Sequence, residues 1–144
     1  MNNIMKILIG SSVFFKEYSD FNPHDIDYVL FEERPQLYKI FAHINTKTED
    51  IFAYKQMSKD EFLQYELEHC KKAKMAVGKL LVPELVKYMN ITIDDLKKFK
   101  FAIDEIPEKH SYEKIIYDAY IKNNDFILTR EQRDKAYQEY KKYR

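Results

Sequence analysis

The hydrophobic pattern changes character near Ser58, and no other feature of this 144-residue chain limits its fold as strongly. Before that point apolar residues come in short runs separated by turn residues. Lys6-Ile7-Leu8-Ile9 ends at Gly10 and reads as a strand buried on both faces. Asp25 to Phe31 and Glu49 to Tyr54, rich in β-branched and aromatic residues, read as two more strands. Val13 to Tyr18 reads as a short helix capped by Ser11 or Ser12, and Asp20 to Pro23 has turn chemistry. Arg34 to Asn45 suits either a strand or a helix opened by Pro35, and is read as a helix running into an extended stretch.

Beyond Ser58 the spacing is helical. Ser58 and Glu61 form a capping-box pair ahead of a helix whose buried face is read as Phe62, Tyr65, Leu67 and His69. Met75 to Met89 reads as a helix interrupted at Pro83, and Thr92 to Phe101 as one helix capped by Thr92. Tyr112 to Ile121 and Thr129 to Arg144 complete the set, the last with Thr129 and Gln132 at capping-box spacing. Strands first and helices afterwards point to an α+β fold. The length fits a single domain, 1–144, with residues 58–144 as a helical part packed on a core of residues 1–57.

Charge and cysteine content narrow the function. Lys plus Arg and Asp plus Glu are 24 each, a balance unlike that of a protein built to coat nucleic acid. Cys70, the only cysteine, rules out an intramolecular disulfide and a multi-cysteine zinc site, and is expected to be packed and inert. With no signal-peptide pattern and no membrane-length apolar run, the expectation is a soluble cytoplasmic protein that does not engage a membrane.

Asp25-Ile26-Asp27 opens an otherwise apolar strand. Residues two apart on a strand leave the same face, so these two carboxylates repel unless a cation lies between them. Tyr28 and Leu30 are expected on the aspartates' face, with Ile26, Val29 and Phe31 turned to the core. Carboxylate oxygens suit Mg²⁺ or Mn²⁺ rather than zinc. Gly10-Ser11-Ser12 ends one strand and opens a helix, a turn in which glycine lets backbone approach an anion and the serines add donors. Asp50 begins the next strand and is the candidate third carboxylate, with Glu49 as its competitor.

A strand, Gly-Ser, a short helix, Asp-x-Asp on a second strand and a carboxylate on a third resemble the polymerase-β type nucleotidyltransferase superfamily. The segments carrying the resemblance are Ile9-Gly10-Ser11 and, thirteen residues on, Asp25-Ile26-Asp27-Tyr28, within residues 5 to 55. The resemblance implies a small mixed sheet with flanking helices. It implies transfer of a nucleoside monophosphate from a nucleoside triphosphate (NTP) to a hydroxyl on an RNA end, a protein or a small molecule, releasing pyrophosphate. Gly10, Ser11 and Ser12 would hold the triphosphate. Asp25, Asp27 and Asp50 would hold Mg²⁺ or Mn²⁺, with Asp50 nearest the acceptor. Lys79 is the preferred helical lysine for the triphosphate. The bulky Val13-Phe14-Phe15 and His24 before the aspartates depart from the family pattern and bear on substrate choice. The alternative is a non-catalytic nucleotide-binding or protein-interaction module on the same scaffold.

The remaining signals have plainer readings. His43, His69 and His110 lack metal-ligand spacing and read as structural. The tail carries six basic and three acidic residues from Arg130 onward, interleaved with tyrosines. It reads as an amphipathic helix with Ala136, Tyr137 and Tyr140 on the core, ahead of an RNA-binding surface.

Overall fold

The computed structural model describes residues 4–23, 26–32, 42–46, 49–55, 58–73 and 78–143; for residues 4, 31–32, 42–46, 49–55 and 73 it describes the backbone. These residues form four strands and seven α-helices in an α+β arrangement, strands first. Two compact units divide them, Met1–Ser58 and Lys59–Arg144.

The first unit holds β1 (Ile4–Ile9), α1 (Ser11–Phe15), β2 (Ile26–Glu32), β3 (Ala42–Thr46) and β4 (Glu49–Lys55). The sheet order is β1-β2-β4-β3. β1 runs antiparallel to β2, β2 parallel to β4, and β4 antiparallel to β3, so the sheet is mixed. The extended half of the ambiguous Arg34–Asn45 stretch is β3; the helix expected ahead of it lies outside the described residues.

Alternation along β2 corrects the expected facing. Ile7 pairs with Val29 and Ile9 with Asp27, so these four residues share one face. Ile7, Ile9 and Val29 are buried, whereas Tyr28 and Leu30, expected beside Asp27, are half-buried on the opposite face. There the Lys6 ammonium lies 4.0 Å above the Tyr28 ring. Val29 therefore belongs to the aspartate's face, because the side-chain period of a strand is two. Phe14 and Phe15 of α1 are buried, and Phe15 meets Tyr18 and Phe21 edge-on at 6.2 Å each. This aromatic cluster anchors the connection that returns the chain towards β2.

The second unit is helical: α2 (Lys59–Ala73), a 3₁₀ turn (Gly78–Leu81), α3 (Pro83–Met89), α4 (Ile93–Lys97), α5 (Lys100–Asp104), a second 3₁₀ turn (Glu108–His110), α6 (Ser111–Asn123) and α7 (Arg130–Lys141). Pro83 opens α3 at its first turn instead of interrupting a longer helix. At that position the missing N–H has no intrahelical acceptor to lose. The helix read across Thr92–Phe101 is two helices, with Lys98 and Phe99 between α4 and α5. Thr92 with Asp95 and Thr129 with Gln132 form complete capping boxes, the latter as expected. Asn90 and Asn124 close α3 and α6 with left-handed backbone, the place glycine usually takes. A chain with two glycines assigns these C-caps to the next most tolerant residue.

Phe62, Leu63, Leu80, Leu81, Leu85, Leu96, Phe99, Ile116, Tyr120 and Tyr137 are among the buried residues of this unit. Ala136, Tyr137 and Tyr140 are buried, as the amphipathic reading of α7 expects. The buried stripe of α2 is Phe62, Leu63, Glu66 and Cys70; Tyr65, Leu67 and His69 are half-buried. Among the described residues no helix is long and apolar enough to cross a membrane.

Candidate functional site

One row of residues crosses the sheet at the end where β1 stops and β2 and β4 begin. Ile9 on β1 pairs with Asp27 on β2, Asp27 with Asp50 on β4, and Asp50 with Asn45 on β3. Neighbouring strands lie about 4.8 Å apart, so Asp27 and Asp50 occupy adjacent backbone positions. Glu49, the competing carboxylate, pairs with Ile26, one row away.

Gly10 follows Ile9 at the corner of this row. Its φ of +77° and ψ of −165° lie where side-chain-bearing residues are rarely found. A Cβ built there would fall 2.9 Å from Asp27 Oδ2, inside van der Waals contact. Backbone and carboxylate thus approach as closely as they do because position 10 lacks a side chain.

Ser11 and Ser12 are the first residues of α1, which is capped by Gly10 without a side-chain hydrogen bond, in place of the serine cap expected from sequence. The Val13 N–H donates to the Gly10 carbonyl at 3.2 Å, so the Ser11 and Ser12 N–H groups precede the helical ladder. Ser12 is buried, while Ser11 is half-buried at the rim with Gly10 and Asp27.

Two of the remaining candidates lie outside the described residues, and one belongs to the second unit. Asp25 and His24 are outside them, and Asp50 is described by its backbone position. Lys79 sits on the first 3₁₀ turn of the second unit, where its ammonium is 3.8 Å from Glu66 Oε1 and its side chain is 13% exposed. Among the described residues no group of three or more His, Cys, Asp and Glu could hold a metal ion.

Cys70 is buried, and burial, reinforced by the charge of Glu66, pushes its thiol up to about 12. The group that sequence reading missed is a buried ionisable cluster around Glu66, Lys79 and Glu113. Its signal lies in helical spacing: Glu66 is four residues from both Phe62 and Cys70, and Glu113 precedes Ile116, Tyr117 and Tyr120 on one stripe. A carboxylate in the middle of an apolar stripe marks a buried charge.

Comparison with protein-family models, with curated proteins and with solved structures gives no match.

Proposed function

We propose that the chain is a metal-dependent nucleotidyltransferase that moves a nucleoside monophosphate from an NTP to an acceptor hydroxyl on an RNA end, a protein or a small molecule. The observation that carries this reading is the corner formed by Gly10 and Asp27. A carboxylate ends the row that Ile7, Ile9 and Val29 bury on β1 and β2, and lies against a glycine whose backbone conformation side-chain-bearing residues rarely adopt. An aspartate at the end of such a row is costly unless its charge is used or solvated, and half-buried Asp27 is open to a ligand.

Asp27 supplies hard oxygen to a divalent cation, Mg²⁺ or Mn²⁺, with Asp25 and Asp50 as the other ligands. The register of Asp50 beside Asp27 favours it over Glu49 for this role. The cation's contribution is to neutralise charge that grows on the transferred phosphoryl group. Gly10 lets its backbone stand close to the Asp27 carboxylate, where triphosphate and cation would meet. The N–H groups of Ser11 and Ser12, with the Ser11 hydroxyl, orient those oxygens by donating to them. Asp50 accepts the proton of the acceptor hydroxyl. Lys79, the helical lysine expected for the triphosphate, belongs to the second unit, where its ammonium is 3.8 Å from Glu66 Oε1.

Thermal melting tests the binding half of the proposal. Mg²⁺ with one of ATP, GTP, CTP or UTP should raise the melting temperature, since a ligand that binds the native state alone stabilises it. Asp27→Ala should remove that rise. No rise with any of the four, or an equal rise in Asp27→Ala, would count against the site.

A further inference from the structure

Two buried carboxylates of the second unit, Glu66 and Glu113, and the half-buried ammonium of Lys79 enter no step above. Glu66 on α2 and Glu113 on α6 each expose 6% of their side chains. Lys79, on the 3₁₀ turn Gly78–Leu81, lies 3.8 Å from Glu66 Oε1. Glu113 Oε1 has no hydrogen-bond partner among the described residues, and it comes within 3.2 Å of where a Cβ on Gly78 would stand. Its other oxygen is 3.5 Å from His110 Nδ1, on a ring 32% exposed. Among the described residues, the groups that face this cluster are Lys79 from the turn, Glu66 and Cys70 from α2, His110 from the second 3₁₀ turn, and Tyr112 beside Glu113 on α6.

Among the described residues Lys79 is the one ammonium set against Glu66 and Glu113, and a buried charge beyond what it compensates costs several kcal/mol. A proton removes the excess. Glu113 Oε1 is the buried carboxylate oxygen left without a hydrogen-bond partner among the described residues, so the proton resides on Glu113. Burial acts in the same direction, outweighing Lys79 and a hydrogen bond from Tyr112, and lifts the Glu113 carboxyl to about 8.

We propose that Glu113 is a proton-dependent latch: neutral, it lets the Gly78–Leu81 turn dock against α2 and α6; ionised, it releases that turn. A Cβ on Gly78 would stand 3.2 Å from Glu113 Oε1, so a side chain there would push the turn and the carboxyl apart by a few tenths of an ångström. The folded carboxyl titrates above its ordinary value of 4.5. The folded form therefore holds a proton that the unfolded chain gives up. The docked state is fully favoured below about 4.5, and its advantage is lost as pH rises through about 8.

Amide hydrogen exchange at pH 6 and pH 9, corrected for intrinsic rates, reads the latch directly. In the wild type, protection over residues 78–82 and 111–117 should fall by about tenfold or more at the higher pH, while α7 is unchanged. Glu113→Gln, permanently neutral, should hold its protection. Unchanged wild-type protection, or an equal fall in both proteins, overturns the proposal. If Glu113→Gln does not fold, carbon-13 titration of the wild-type glutamate carboxyls decides: a Glu113 midpoint above about 6 supports the latch and one at or below it overturns it.

Discussion

Asp27 Oδ2 lies 2.9 Å from the position a Gly10 Cβ would occupy, so the carboxylate and the end of β1 share a space that one methyl group would fill. Two residues seventeen apart in sequence meet because Ile9 and Asp27 are partners across β1 and β2. The proposed chemistry depends on this corner.

Replacing Gly10 by alanine combines two costs. The backbone is held at φ +77°, a conformation that costs a side-chain-bearing residue about 1–3 kcal/mol. The new methyl also displaces the Asp27 carboxylate. Urea denaturation should show the loss of stability. Melting with NTP and Mg²⁺ should show loss of the ligand-induced rise in a protein that still folds.

Tyr120 tests the core of the helical unit. Its hydroxyl donates to the Leu81 carbonyl at 2.9 Å across a buried contact. Tyr120→Phe leaves that carbonyl buried and unsatisfied, and should cost about 1–3 kcal/mol in urea denaturation. A variant as stable as the wild type would mean that the carbonyl finds another donor.

Asp95 supplies the acid side of the pH profile. Burial raises its pKa, but the Lys59 ammonium at 2.7 Å and donation from the Thr92 N–H and hydroxyl outweigh burial and lower it overall. Its folded value lies below the ordinary 3.8. The stabilisation is therefore present above about 3.8 and disappears as pH falls through the lower folded value. Asp95→Asn should lose about 1–2 kcal/mol near neutrality, the scale of a helix cap. Its deficit relative to wild type should shrink below that range in pH-dependent denaturation.

Cys70 should be chemically silent. Burial and a thiol pushed up to about 12 keep it from forming thiolate at neutral pH. A thiol-specific reagent should modify it in denaturant and leave it unmodified in buffer. Rapid labelling of the native protein would contradict its placement.

Local signals in the sequence carried much of this fold. Thr129 and Gln132 are three residues apart at a helix start, and a capping box is local, so it could be read without tertiary information. Pro83 was harder, since proline both breaks helices and begins them; which applies depends on Val82 being extended before it. The facing of Val29 follows from strict alternation once β2 is placed, and the apolar character of Tyr28 and Leu30 obscured it. The Gly10–Asp27 corner was legible as a motif, whereas its tightness needed the β1–β2 register. Glu66 and Glu113 come from different helices, and their meeting with Lys79 is a tertiary event that no local pattern announces.

Label transfer from an NTP reads the chemistry proposed for Asp27. Wild-type protein should attach label from at least one α-labelled NTP to an acceptor in cell extract when Mg²⁺ or Mn²⁺ is present. Asp27→Asn, equal in size and without the charge, should attach none while keeping the same circular dichroism spectrum. Transfer by Asp27→Asn at the wild-type rate, or no transfer by wild type with all four nucleotides and both metals, would contradict the account.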